Sequence, residues 1–270
     1  MELFEDDVWQ MAWGERAAIE GLLSARRPAL AIEVGTAEGA SLRRIAAHSA
    51  EVHSFDVVLP QLEVPEHVTL HTGDSHVLLP EVLAGFAQEG RNVDFALVDG
   101  DHSAEGVRRD VEDLLASSAV RDTVIVTHDT GNELVRSGLD AVDYAAHDKV
   151  VHVDLDFVPG HLGRERFGGE LWYGLGLIVV DADRPRAGDP VQRDRHHGGE
   201  LLAVARDALA GAPARAGTSA TALDARDERI AALEREVVHH RDLWQALMRS
   251  PSWRVTAPLR AAKRLAHRRG

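Results

Sequence analysis

The 270-residue chain has no cysteine, which excludes disulfides and thiolate metal sites and suits a reducing compartment. It has no long hydrophobic run. The longest apolar stretch, around Leu175 to Val180, falls far short of a membrane span. The first residues, MELFEDDVWQ, lack the basic-then-apolar order of a signal peptide. A soluble cytoplasmic protein is the expectation. Glycine is missing from positions 37 and 40, which hold Ala37 and Ala40, so the dinucleotide fingerprint G-x-G-x-x-G is not formed there. A Tyr-x-x-x-Lys dyad is also missing, and both absences count against an NAD-linked reductase.

Basic residues are scarce except at one end. The formal net charge is −14, yet Arg249 to Gly270 holds seven Lys or Arg and no acid. The other 248 residues therefore carry 23 basic against 44 acidic groups. Such a body does not invite nucleic acid, whereas the short basic tail can meet an anionic lipid surface or an acidic partner.

What is present is enough apolar content, 44%, for a sizeable core. The first 25 or so residues pattern as a helix, with Val8, Met11, Ala12, Ile19, Leu22 and Leu23 as its apolar face. Strand-like runs at 29–34, 51–56, 67–71, 93–98, 123–127, 150–157 and 171–180 then alternate with helix-like runs at 39–48, 75–88, 104–117 and 132–146. That alternation predicts an α/β fold, a mainly parallel seven-stranded sheet covered on both faces, with the last two strands as an antiparallel pair. Ligands of such sheets bind beyond the carboxyl ends of the strands.

Four segments are expected: a sheet domain over 1–184, a flexible linker over 185–221, a coiled-coil-like helix over 222–249 and a basic amphipathic tail over 250–270. The heptad rests on Leu223, Ile230, Val237 and Trp244, and it is short enough for a single amphipathic helix as well. It allows at most a weak homodimer.

The stretch LAIEVGTAEGASLRRIA, from Leu30 to Ala46, places an acid at the tip of a buried strand. An unpaired buried charge is costly, so Glu33 belongs where the strand reaches the binding edge. Gly35 permits a tight turn and close ligand approach, and Gly39 opens a helix whose amides favour a negative group. E-x-G-x-x-x-G suits a ligand with an amino-acid group at the turn and no pyrophosphate.

These residues resemble the first motif of the class I S-adenosylmethionine-dependent methyltransferases. The resemblance implies a Rossmann-like fold with S-adenosylmethionine as cofactor, and covers roughly residues 25 to 180. It places the methionine part of the cofactor on Glu33, Gly35, Thr36, Gly39 and Ser41. Asp56, at the end of VHSFD, falls where the family binds both ribose hydroxyls. Gly73-Asp74-Ser75 matches its adenine-side turn, although either polar residue also reads as a helix cap.

DGDH, from Asp99 to His102, and the later His128-Asp129 resemble a sub-branch related to metal-dependent O-methyltransferases. Asp99 aligns with the first metal-binding acid of those enzymes. His128-Asp129 falls on their Asp-Asn pair, with His in place of Asp and Asp in place of Asn. The resemblance thus implies a divalent cation, Mg²⁺ or Mn²⁺, on Asp99, His128 and Asp129, with catalytic roles for Asp99, His128 and His102. His102 stands where those enzymes keep a catalytic lysine, and a neutral imidazole suits proton transfer near pH 7. Three plainer readings stay open. Asp101 can cap the helix near Ala104, His102 can bond the backbone, and His128 with Asp129 can form a structural pair.

The end of the chain, SPSWRVTAPLRAAKR, is similar to the ends of bacterial proteins that build surface polysaccharides, glycosyltransferases among them. It implies a glycan or glycolipid acceptor and a peripheral membrane or protein partner. The function expected is O-methylation of a sugar hydroxyl in surface-glycan or glycosylated natural-product assembly. A non-catalytic scaffold that binds cofactor and recruits glycan-assembly partners is the alternative from another class.

Overall fold

A computed structural model describes residues 9–58, 62–162, 171–184, 186 and 188–192. The expected coiled-coil helix, the tail and most of the linker lie outside the described residues. Among these residues no helix is long and apolar enough to cross a membrane.

The strands are β1 (Leu30–Val34), β2 (Glu51–Asp56), β3 (Val68–Thr72), β4 (Phe95–Val98), β5 (Asp122–His128), β6 (Val150–Val158), β7 (His161–Leu162), β8 (Leu171–Trp172) and β9 (Leu175–Asp181). The helices are α1 (Trp13–Arg26), α2 (Ala40–His48), α3 (Ser75–Gln88), α4 (Ala104–Ala116) and α5 (Glu133–Asp140). The main sheet runs β3-β2-β1-β4-β5-β9-β6. Neighbours from β3 to β5 are parallel, and β9 lies antiparallel between β5 and β6. This is the Rossmann-like methyltransferase fold expected, with its antiparallel closing pair.

Alternation along the strands decides which face each site residue joins. Leu30, Ile32 and Val34 pack with Phe55, Val98 and Ile125 and with the inward faces of α3 and α4. Ala31, Val52, Phe95, Leu97, Val126 and Leu175 pack on the other face, under Ile19 and Leu23 of α1 and Leu42 and Ile45 of α2. Glu33, Ser54 and His128 continue the second series, so their side chains emerge on the α1–α2 face. Burial on both faces explains why β4 reads as an unbroken apolar run and β1 as one interrupted only by Glu33.

The structure departs from the expected elements in three places. The helix expected over 132–146 ends at Asp140, and Asp143 then accepts the Ala146 N–H to open a separate 3₁₀ turn at Tyr144–Ala146. The strand expected over 171–180 breaks at Tyr173 and Gly174, both at positive φ (64° and 96°), and its first piece pairs with β7 in a small ribbon. The helix expected over the first 25 residues begins at Trp13; its buried positions are Ile19, Leu23 and a carboxylate, Glu15.

Contacts of the sheet body continue past residue 184. Arg186 donates to the carbonyls of Ala145 and His147 at 3.0 and 3.2 Å, and Gln192 N–H donates to Val153 O at 2.8 Å.

Candidate active site

Glu33, next to last in β1, is fully buried. Ser54 Oγ–H donates to its Oε2 at 2.5 Å, Thr36 Oγ1 lies 2.7 Å from Ser54 Oγ, and Ser41 of α2 faces the same carboxyl. Its Oε1 has no partner among the described residues. Burial drives the Glu33 pKa up to about 8; Ser41 and Ser54 restrain it, while Asp99 and Asp56 add to it. The position is therefore built for a group that brings positive charge.

The turn beyond it is held by backbone. Gly35 has φ +92°, and a Cβ there would stand 1.9 Å from the Asp99 carbonyl oxygen. Asp56 Oδ2 accepts the Thr36 and Ala37 amides at 2.9 and 3.0 Å, and its Oδ1 accepts Val58 N–H at 3.0 Å. Asp56 thus stands at the turn and fastens it. Gly39 is the N-cap of α2. Asp74 caps α3 through His76 N–H, as one of its two readings allowed, and Ser75 Oγ–H donates to the buried Asp110 at 2.9 Å. A narrow cavity of about 30 Å³ lies between the turn, Asp99 and the Trp9–Met11 segment.

Asp99 follows β4 and His128-Asp129 ends β5, so adjacent parallel strands bring them together at one edge. His128 Nδ1 lies 2.9 Å from Asp99 Oδ1 and 3.4 Å from Asp129 Oδ2. His102 Nε2 lies 3.0 Å from Asp129 Oδ2 and 3.6 Å from Asp99 Oδ1. His128 is 4% exposed, whereas the His102 side chain is 41% exposed and sits edge-on to Trp172, ring centroids 5.7 Å apart. Asp129 has φ 55°, and its Oδ1 accepts the Tyr173 amide at 2.7 Å. Asp101 does not cap α4. Ser103 does, through Gly106 N–H at 3.0 Å, and Asp101 accepts the Ser103 amide and hydroxyl.

Charge sorts these groups. Burial alone would raise Asp99, but His128 and His102 outweigh it and hold the carboxyl down at about 2. Hydrogen bonds to Asp129 and then Asp99 lift His102 to about 9, against its partial burial. Burial opposes a charge on His128, yet Asp99, Glu15 and Asp129 hold its pKa well above the ordinary value.

Donor atoms of Asp99, His102 and Asp129 all lie within 4.8 Å of one another. Two carboxylates and an imidazole at that spacing fit a divalent cation such as Mg²⁺ or Mn²⁺. The expected set had His128 where this group has His102. His128 borders the group at Asp99 but turns its other nitrogen to Glu15, with Nε2 3.3 Å from Glu15 Oε1.

Sequence reasoning missed Glu15. Nothing local marks it beyond an acid in the first turn of a helix, which reads as a cap. It does accept the Ala12 amide in that role, but it also accepts Gly174 N–H and meets His128.

Residues 32–130 match the family profile described as a methyltransferase domain. That part of the chain, 99 of its 270 residues, is similar to a methyltransferase domain. The matched span holds each site residue expected from the sequence and leaves Glu15, Trp172 and Tyr173 outside it. No curated protein matches the chain.

Among solved structures the chain is similar to MycE of the mycinamycin biosynthetic pathway, in complex with Mg, SAH and mycinamycin VI. That likeness has 16% identity over 70% of this chain and 55% of that one, at TM-score 0.46. The chain thus spans about half the length of MycE. It is also similar to an O-methyltransferase from Bacillus cereus in complex with SAH (18% identity, 67% of this chain, 85% of that one, TM-score 0.44). TomG from Streptomyces achromogenes, an O-methyltransferase of tomaymycin synthesis in complex with SAM, gives 15% identity, the same coverage and TM-score 0.45.

Proposed function

We propose that the protein is an S-adenosylmethionine-dependent methyltransferase that acts on oxygen, moving a methyl group to a hydroxyl of a sugar-bearing small molecule or glycolipid. The observation that carries the reading is a shared wall: Gly35 of the cofactor turn packs directly on the Asp99 carbonyl, whose side chain belongs to the acid–histidine group. Donor and acceptor sites that touch through backbone suit an in-line transfer, which depends on alignment.

Glu33, with its unpartnered Oε1, is the residue we assign to the ammonium of the cofactor's amino-acid group. Asp56 is assigned to the ribose diol, exchanging loop amides for hydroxyls, and Asp74 and Ser75 to the adenine side. S-adenosylmethionine bound there supplies an activated methyl group on a good leaving group. His102 is the group assigned to take the hydroxyl proton, at Nε2, since it is the exposed member of the cluster. Asp99 and Asp129 orient that imidazole, and His128 keeps Asp99 ionised. A divalent cation on Asp99, His102 and Asp129 would occupy that Nε2 and would itself lower the pKa of a hydroxyl brought to it, so the imidazole serves as the base where no cation is bound. The sugar acceptor is favoured by the Trp172 ring beside His102, an apolar face for a sugar's C–H groups, and by the resemblance of the tail.

Calorimetry with S-adenosylhomocysteine and with NAD tests the cofactor assignment. Micromolar-range binding of the first and none of the second is expected, and NAD binding without response to the methyl donor would overturn it. In excess chelator, residual transfer should rise with pH through about 9, because His102 must shed its proton to accept another. A cation-free rate that is flat between pH 7 and 10 excludes His102 as the base.

The heptad and tail, 222–270, are assigned to placing the enzyme at an anionic surface or pairing two copies. Full-length protein should then sediment with vesicles containing anionic lipid at low salt, and release at high salt. Equal sedimentation with neutral vesicles would count against that role.

A further inference from the structure

We propose that Glu15 is a positioning residue for the Asp99–His102–Asp129 group, acting through His128 and through the Tyr173–Gly174 turn. The inference rests on the function proposed above and names a residue outside the span matched to the methyltransferase domain.

A carboxylate that is 1% exposed needs partners for both oxygens. Capping α1 accounts for one of them, since Oε2 accepts the Ala12 amide. Oε1 does something a cap does not require. It accepts the Gly174 amide and stands 3.3 Å from His128 Nε2.

Each of those contacts leads to one carboxylate of the cation-capable group. The His128 ring presents Nδ1 to Asp99 at 2.9 Å, and the Glu15 carboxylate stands at ion-pair distance from the far nitrogen, outside hydrogen-bond geometry, so it biases the ring through charge. Gly174 follows Tyr173 in a turn where both residues hold positive φ, and the Tyr173 amide donates to Asp129 Oδ1 at 2.7 Å. Glu15 and Asp129 therefore accept consecutive amides of a single turn. One carboxylate from α1 braces Asp99 from behind through an imidazole, and Asp129 from the side through backbone.

Titration of full-length protein with Mn²⁺ by calorimetry, without cofactor, tests this. Glu15→Gln keeps the shape and can still accept through one oxygen, but it loses the carboxylate that faces both His128 and Gly174. It should weaken Mn²⁺ binding by about 10–100-fold, the range for outer-shell partners of metal ligands. Ala12→Pro serves as the control. It removes only the capping donor, at a position whose φ of −71° already suits proline, and should leave Mn²⁺ affinity within about threefold.

Unchanged affinity in Glu15→Gln overturns the proposal, and so does an equal loss in Ala12→Pro, which would make Glu15 a cap alone. If the wild-type protein binds no Mn²⁺, the cation reading falls by itself. The ring ¹⁵N signals of His128 then decide: they move in Glu15→Gln and stay in Ala12→Pro if Glu15 positions the ring, and stay in both if it does not.

Discussion

Asp99→Asn is expected to lower methyl transfer by about 10²–10³-fold, the size of effect seen when one preorganised charge is removed from a reacting centre. Binding of S-adenosylhomocysteine should change far less, because Gly35 contacts the Asp99 backbone rather than its carboxylate. The side chain lies between two imidazoles, His128 at 2.9 Å and His102 at 3.6 Å, and asparagine leaves both without that charge.

Breaking a buried pair on one side costs about 3–5 kcal/mol, and Asp99 should fall at the low end, since His128 keeps Glu15 and Asp129. The pH dependence has a definite sign. A carboxyl held at about 2 against an ordinary 3.8 contributes stability that is complete above 3.8 and lost as pH falls toward 2. The gap in melting temperature between wild type and variant should therefore be widest near neutrality and shrink below pH 4. Wild-type turnover in the variant, or a gap that does not narrow in acid, would remove Asp99 from the role assigned to it.

Gly35→Ala should disrupt both fold and cofactor site. The new methyl carbon would lie 1.9 Å from Asp99 O, 2.5 Å from Asp99 C and 2.9 Å from Gly100 N. All three are backbone atoms, so no side-chain rotation relieves the clash. The tips of β1 and β4 must part, although hydrogen bonds from Gly35 N–H to Phe55 O and from Asp99 N–H to Val34 O, both 2.8 Å, tie them into the sheet.

Overpacking of about 1–3 kcal/mol and about 1–2 kcal/mol for the left-handed conformation add to roughly 2–5 kcal/mol. Cofactor affinity should fall by at least about 100-fold, because the amides that Asp56 fastens move with the turn. Gly90 offers the comparison. It too has positive φ, +68°, but nothing lies within 4 Å of a Cβ there, so Gly90→Ala should cost only about 1 kcal/mol. Urea unfolding of the two variants side by side separates strain from collision. Equal losses would mean that the Gly35 contact is not needed.

The parallel part of the fold was legible because β1, β4 and β5 are short, mainly apolar runs ending at a polar residue or a glycine turn, while β2 and β3, which mix apolar with polar residues, keep the same strand–helix spacing. Glu33, Asp56, Asp99 and His128 each mark a strand's end, and a parallel sheet places such ends together. Less legible was what depends on pairing across long separations. Tyr173 and Gly174 sit inside an apolar stretch that reads as one strand; the break is held by Asp129 and Glu15, which accept their amides, and by the Thr130 and Gly131 amides, which donate to their carbonyls. Glu15 carries no local sign of its partner, since an acid early in a helix is already accounted for by capping.

The order of the strands bears on how the nascent chain acquires its site. β9 is the last strand of the sheet to leave the ribosome, yet it lies between β5 and β6, both already made. Until residue 181 has emerged, β5 and β6 each offer an unpaired edge, and the amides that hold Asp129 and Glu15 do not yet exist. Chains stalled before β9 would thus display two open edges of the kind that invite pairing with other chains, together with a buried-type acid and histidine lacking their backbone partners. Insertion of β9 is the step that joins β6 to the rest of the sheet.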